Sequence, residues 1–173
     1  MNDKNLKEEF IKYFGEEKWE EEEILEILQD VAINVCINWL GLDILPIVFK
    51  ETNYPEAAGF DIINQVIWLD KKNKDNIVEL MDSVIHELEH YYQLHYVANY
   101  NTPKALRWKK ELDNYVTSEN VIGNLTQEIE IDAMAFSQIV LETDYGIVYR
   151  HTEPLIQELI DRYIKSRKIL NDD

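Results

Sequence analysis

A chain of 173 residues, 46% hydrophobic and 11% aromatic, is long enough to bury a sizeable core and too apolar to be disordered, so a single domain over residues 1–173 is expected. Its formal net charge of -17 argues against unspecific attraction to nucleic acid or to an anionic membrane, and makes a basic partner more plausible. Met1-Asn2-Asp3-Lys4-Asn5 does not read as a signal peptide, no apolar run is long enough to cross a bilayer, and the single Cys36 has no partner for an internal disulfide; the expected compartment is the cytoplasm.

In chain order, residues 5–14 and about 20–40 read as helices, the second with Ile24, Leu28, Val31, Val35, Ile37 and Leu40 inward and Gly41 as its stop. Glu16, Glu17 and Glu20 to Glu23 form an acidic run of the kind that solvates a helix N-terminus. Ile44 to Lys50 is short and β-branched. Phe60 to Asp70 holds Val66-Ile67-Trp68-Leu69 after the turn-prone Asn64-Gln65, which predicts an antiparallel strand or hairpin. A helix follows from Asp75 to about Asn99, and Thr102-Pro103 opens another to about Val116. Residues 117–125 read as a loop, a further helix carries Glu128, a break falls near Tyr145-Gly146, and a terminal helix runs from about Thr152 to Leu170. The expected fold class is α+β: mostly helical, with a small antiparallel sheet beside the 75–99 helix. Within it, 1–43 is a helical extension, 44–141 the core and 142–173 the C-terminal helix.

The 75–99 helix carries His86-Glu87-Leu88-Glu89-His90, two imidazoles at i and i+4 on one helical face. Both can reach one Zn²⁺ and leave positions for water and a third protein ligand, with Glu87 as the general base. At ~100° per residue, Ile77, Met81, Val84, Ile85, Leu88, Tyr92 and His95 gather into an apolar stripe, and the two histidines fall nearly opposite it. His95, on that stripe, reads as a packed or edge histidine rather than a ligand. The same wheel also suits an exposed helix whose His and Glu merely face water.

Downstream, Glu128-Ile129-Glu130-Ile131-Asp132-Ala133-Met134-Ala135-Phe136 has apolar residues all round its wheel, as a helix buried on most sides does. Glu128 and Asp132 share a face, while Glu130 points nearly opposite, with Ser137. The wheel therefore favours Glu128 as third ligand, with Asp132 accepting the free N–H of a ligating histidine, although Glu130 stays open as an alternative. The plainer reading places Glu128 in a first turn after a Thr126 cap, where the helix dipole favours an acid.

These two segments resemble the gluzincin branch of zinc metallopeptidases, and the second is most similar to the E-x-E-A-D-x-F-A pattern of ImmA/IrrE-type peptidases, small intracellular proteins of bacteria, phages and mobile elements. The resemblance covers roughly residues 59 to 141. It implies a zincin-like fold in which His86, His90 and Glu128 bind zinc, Glu87 is the base, Asp132 orients a ligand, and the 60–70 strand pairs with extended substrate. Glu89 stands where the family often has Gly, and the stretch from His90 to Glu128 is long and contains an additional helix.

The expected activity is hydrolysis of a peptide bond in a protein or peptide substrate. Tyr145, Tyr149 and His151, which follow the third-ligand helix, are candidate oxyanion donors. Two other classes remain: a metal-binding but catalytically silent relative acting as an acidic interaction or regulatory module, and a metal-free helical interaction protein. A His₂-carboxylate set also suits Fe, Mn or Co.

Overall fold

The computed structural model describes residues 19–53, 56–117 and 120–171; the helix expected over 5–14 lies outside them. Helix α1 (Glu21–Asn34) starts where Glu20 N donates to Glu23 Oε2 at 2.9 Å and three acids face the positive end of the dipole. It runs on into a wider π-helical turn, Val35–Leu40, closed by Gly41 at φ 65° with Leu42 N donating to Cys36 O. Val35 and Cys36 are buried, while Ile37, expected inside, is 60% exposed because it lies two residues, about half a turn, round the helix from Val35.

Three strands follow, β1 (Ile47–Lys50), β2 (Ala58–Asp61) and β3 (Val66–Asp70), in the order β1-β3-β2. The expected hairpin is β2–β3. Its turn is held by the Asp61 carboxylate, which accepts from Ile63 N and Asn64 N at 3.0 Å each, and Gln65 takes φ 53°. Gly59 lies opposite Trp68, where a Cβ would come within 2.5 Å of the indole. β1 adds to the far side of β3 in parallel, Ile47 opposite Ile67. The sheet is therefore mixed rather than wholly antiparallel: β1 and β2 run oppositely, so a strand inserted between them is parallel to one and antiparallel to the other.

Helix α2 (Ile77–Asn99) is capped by Asn76, whose Oδ1 accepts from Glu79 N, and buries Ile77, Leu80, Met81, Val84, Ile85 and Leu88. These join Leu28 and Val31 of α1 and Ile67 and Leu69 of β3 in the main core. Helix α3 (Pro103–Asp113) begins at the expected Thr102 cap and packs Trp108 against Tyr92 and Tyr96 of α2. It ends before Val116, which the side chain of Gln127 holds away. The predicted 117–125 loop contains a short helix, α4 (Val121–Leu125), started by Asn120 Oδ1 accepting from Gly123 N at 3.1 Å. Helix α5 (Glu128–Val140) is buried on most sides, as its wheel implies, and continues into a second π-helical turn, Leu141–Tyr145. Helix α6 (Pro154–Asn171) covers α5 by packing Ile156 and Ile160 on Ile131, Met134 and Ala135. The fold is α+β, and the described residues are 65% helical with one small mixed sheet. Among the described residues no helix is long and apolar enough to cross a membrane.

Candidate metal centre

α2 and α5 pack side by side and bring three metal-ligating side chains together: His86, His90 and Glu130. Their one-turn spacing on α2 sets the imidazoles edge to face, ring centroids 4.6 Å apart, with the two Nε2 atoms 2.9 Å from each other. Glu130 reaches across from α5 with Oε2 at 3.3 Å from His86 Nε2 and Oε1 at 3.4 Å from His90 Nε2. A tetrahedral ion with bonds of about 2.0–2.1 Å separates its ligand atoms by about 3.3 Å, which the two carboxylate–imidazole spacings match, while the two Nε2 atoms, 2.9 Å apart, would have to open by about 0.4 Å to hold one. The carboxylate is almost enclosed, 5% exposed, while the imidazoles are 18% and 19% exposed, which leaves a solvent-facing side for further ligands.

Glu128, the expected third ligand, points elsewhere: a third exposed, it pairs with Arg107 of α3 at 3.4 Å. The wheel separated Glu128 and Glu130 onto different faces correctly but did not show which face meets α2. One signal bears on it. Ser137, seven residues after Glu130 on the same face, donates to Asp82, one turn before His86, so the 130/137 stripe lies along the 82/86/90 stripe. Nor does Thr126 cap α5. That task falls to Glu111 of α3, whose carboxylate accepts from Glu128 N at 3.1 Å and Ile129 N at 2.9 Å.

Asp132, expected to accept directly from a ligating histidine, acts one step further out. His90 Nδ1–H donates to Gln93 Oε1 at 2.9 Å, leaving Nε2 free to ligate. Gln93 is fully buried and donates its amide to Ile129 O at 2.9 Å and Asp132 Oδ2 at 3.2 Å, which fixes which end faces the imidazole. Neither the motif nor the wheel singles out Gln93. It lies at i+3 from His90, a spacing that makes helical neighbours.

Tyr115 also belongs to the cluster and was missed, because it sits beyond α3 in a segment with no motif. Its hydroxyl donates to Glu130 Oε1 at 2.7 Å. Burial and the charges of Glu130 and Glu87 keep the phenol protonated well above its usual range. The Glu87 charge also acts on His90, in the same direction as that of Glu130. Burial alone would lower the His90 pKa, but Glu130 outweighs it and pushes the value up to about 9. For Glu130 burial works the other way, yet the two imidazoles hold its carboxyl far below the usual carboxylate range.

The three proposed oxyanion donors are placed by contacts elsewhere. Tyr145 packs against the main core with its hydroxyl accepting from Asn34 Nδ2, and burial pushes its pKa up to about 12. Tyr149 and His151 lie within reach of the Asp82 charge, toward the start of α2, and the His151 ring accepts from Glu153 N at 3.0 Å. His95 is exposed, an edge histidine and not a packed one, and is not among the three clustered side chains.

No protein-family model, no curated protein and no solved structure matches this chain.

Proposed function

We propose that the protein is a zinc metallopeptidase of the gluzincin type, similar to ImmA/IrrE-type peptidases, with His86, His90 and Glu130 as its ligands. The observation that carries this reading is the cluster of three metal-ligating side chains, His86, His90 and Glu130, within reach of one ion and open on one side, with Glu87 next to His86 in sequence. Facing imidazole nitrogens 2.9 Å apart call for a proton or a cation between them, and a buried carboxylate supplies the compensating charge.

Zinc bound there would bring the pKa of a water toward neutrality and polarise a peptide carbonyl. Glu87 would take the proton from that water and hand it to the departing amine. Gln93 keeps His90 in the ligating tautomer throughout. For an extended peptide the open edge of β2, which pairs only with β3 among the described residues, offers backbone hydrogen bonds beside α2, where Phe60 packs on Tyr91 at 5.2 Å. The acidic surface favours basic substrates. The lone buried thiol of Cys36 suits a reducing compartment such as the cytoplasm.

Two measurements test this. Metal analysis of the untagged protein is expected to give near-stoichiometric zinc that is lost in His86→Ala; zinc persisting in the variant would sink the assignment. Glu87→Gln is expected to retain zinc and lose turnover of a peptide library by about 10²–10⁴-fold. Unchanged cellular function in that variant points to a docking role instead of hydrolysis.

A further inference from the structure

We propose that Tyr115 is a positioning residue that makes Glu130 a one-oxygen metal ligand, a role that rests on the metal-site reading above. Asn124 Nδ2 donates to the phenol oxygen at 2.9 Å, and the phenol lies 2.7 Å from Glu130 Oε1. An amide nitrogen only donates, so the phenol must send its own proton to the carboxylate. The direction of the chain Asn124 to Tyr115 to Glu130 is thereby set.

The segment carrying Tyr115 is clasped to the helix that bears Glu130. Val116 N donates to Gln127 Oε1 at 2.9 Å, and Val116 O accepts from Gln127 Nε2 at 3.1 Å and from Asn124 Nδ2 at 2.8 Å. Gln127 directly precedes α5, so phenol and carboxylate are held in one frame.

This makes the two oxygens of Glu130 inequivalent. Oε2 faces His86 at 3.3 Å, whereas Oε1, 3.4 Å from His90 Nε2, also accepts a hydrogen bond from the Tyr115 hydroxyl. A cation is drawn to the oxygen with more electron density to give, and the phenol restrains the soft terminal torsion of the glutamate from swinging both oxygens onto it. Without the hydroxyl, two-oxygen binding competes and the four-coordinate geometry loosens. Glu130 would then have an outer partner as His90 has in Gln93.

The experiment compares untagged native protein with Tyr115→Phe and Asn124→Ala. Zinc affinity is read by competition with a chromogenic chelator, and the visible bands of the Co²⁺-loaded forms are recorded alongside. Tyr115→Phe is expected to bind zinc about 10–100-fold more weakly. Its Co²⁺ bands should lose intensity, as a rise above four-coordination requires. Asn124→Ala, which keeps the phenol but frees its direction, should move both readouts the same way by a smaller factor. Native affinity and native bands in Tyr115→Phe overturn the inference, as does native affinity with lost peptide turnover, which would place the phenol on substrate instead. Should Tyr115→Phe not fold, native behaviour of Asn124→Ala on both readouts overturns it equally. Native protein that takes up no zinc overturns the metal-site reading itself, an outcome distinct from a Tyr115 failure.

Discussion

Gln93 is the residue on which the geometry of His90 turns. Fully buried and bonded at both ends of its amide, it presents an acceptor to His90 Nδ1 and nothing else. Gln93→Leu keeps the volume but removes that acceptor, so His90 loses its preference for the ligating tautomer and Asp132 loses a donor. Zinc affinity is expected to fall about 10–100-fold, measured by chelator competition, and an unchanged affinity would show that ring packing alone orients His90. Legibility at this scale was uneven. His86, His90 and Glu87 stand out because their chemistry and their spacing coincide. Gln93 and Tyr115 do not, since a glutamine inside a helix and a tyrosine after one have too many ordinary roles to be noticed.

At the scale of elements, the position of α5 decides whether Glu130 reaches the histidines. Its first turn has no capping side chain of its own, and Glu111 from α3 supplies the acceptor for two of its free amides. Glu111→Ala removes that cap and the charge at the positive end of the dipole. A loss of about 0.5–2 kcal/mol is expected, read as a lower unfolding midpoint in urea, together with weaker zinc binding as the first turn frays. An unchanged midpoint would mean that water replaces the cap without cost. Helices and the β2–β3 hairpin were legible because apolar periodicity, the Thr102-Pro103 start and the Asn64-Gln65 turn are local signals. The parallel β1–β3 pair was not, because register between strands far apart in sequence is settled by the core they share.

Over the whole molecule, the candidate centre links α2 to α5, two helices separated by the α3–α4 excursion, so an ion bound there would be coupled to the fold. In the metal-free protein His90 and Glu130 stabilise one another. With the His90 pKa raised from 6.5 to about 9, its contribution is complete below 6.5 and is lost as pH rises through about 9. Glu130, lowered from 4.5, contributes above that value and loses its contribution as pH falls below it. Zinc ligated there would compete with the His90 proton, so its binding would strengthen over the range where the apo pair weakens. At free zinc one hundred times the dissociation constant, the folded state gains about 2.7 kcal/mol. The rise in melting temperature on adding zinc is therefore expected to be larger at pH 9 than at pH 6 when compared at equal free zinc. A shift that is absent, or larger at pH 6, would be incompatible with a histidine-ligated site.

From the sequence alone came the helical class, the hairpin, the pairing of His86 with His90 and the presence of a carboxylate-rich partner helix. All follow from short-range rules, since a spacing of four residues defines a helical face wherever the helix lies. The choice of Glu130 over Glu128 belonged to the tertiary structure. A helix buried on nearly every side carries no apolar asymmetry to announce which face meets which neighbour, and only the packing of α5 along α2, with Ser137 on Asp82, resolves it. Gln93, Tyr115 and the Glu111 cap were decided there too, because each acts through a contact made across the fold and not along the chain.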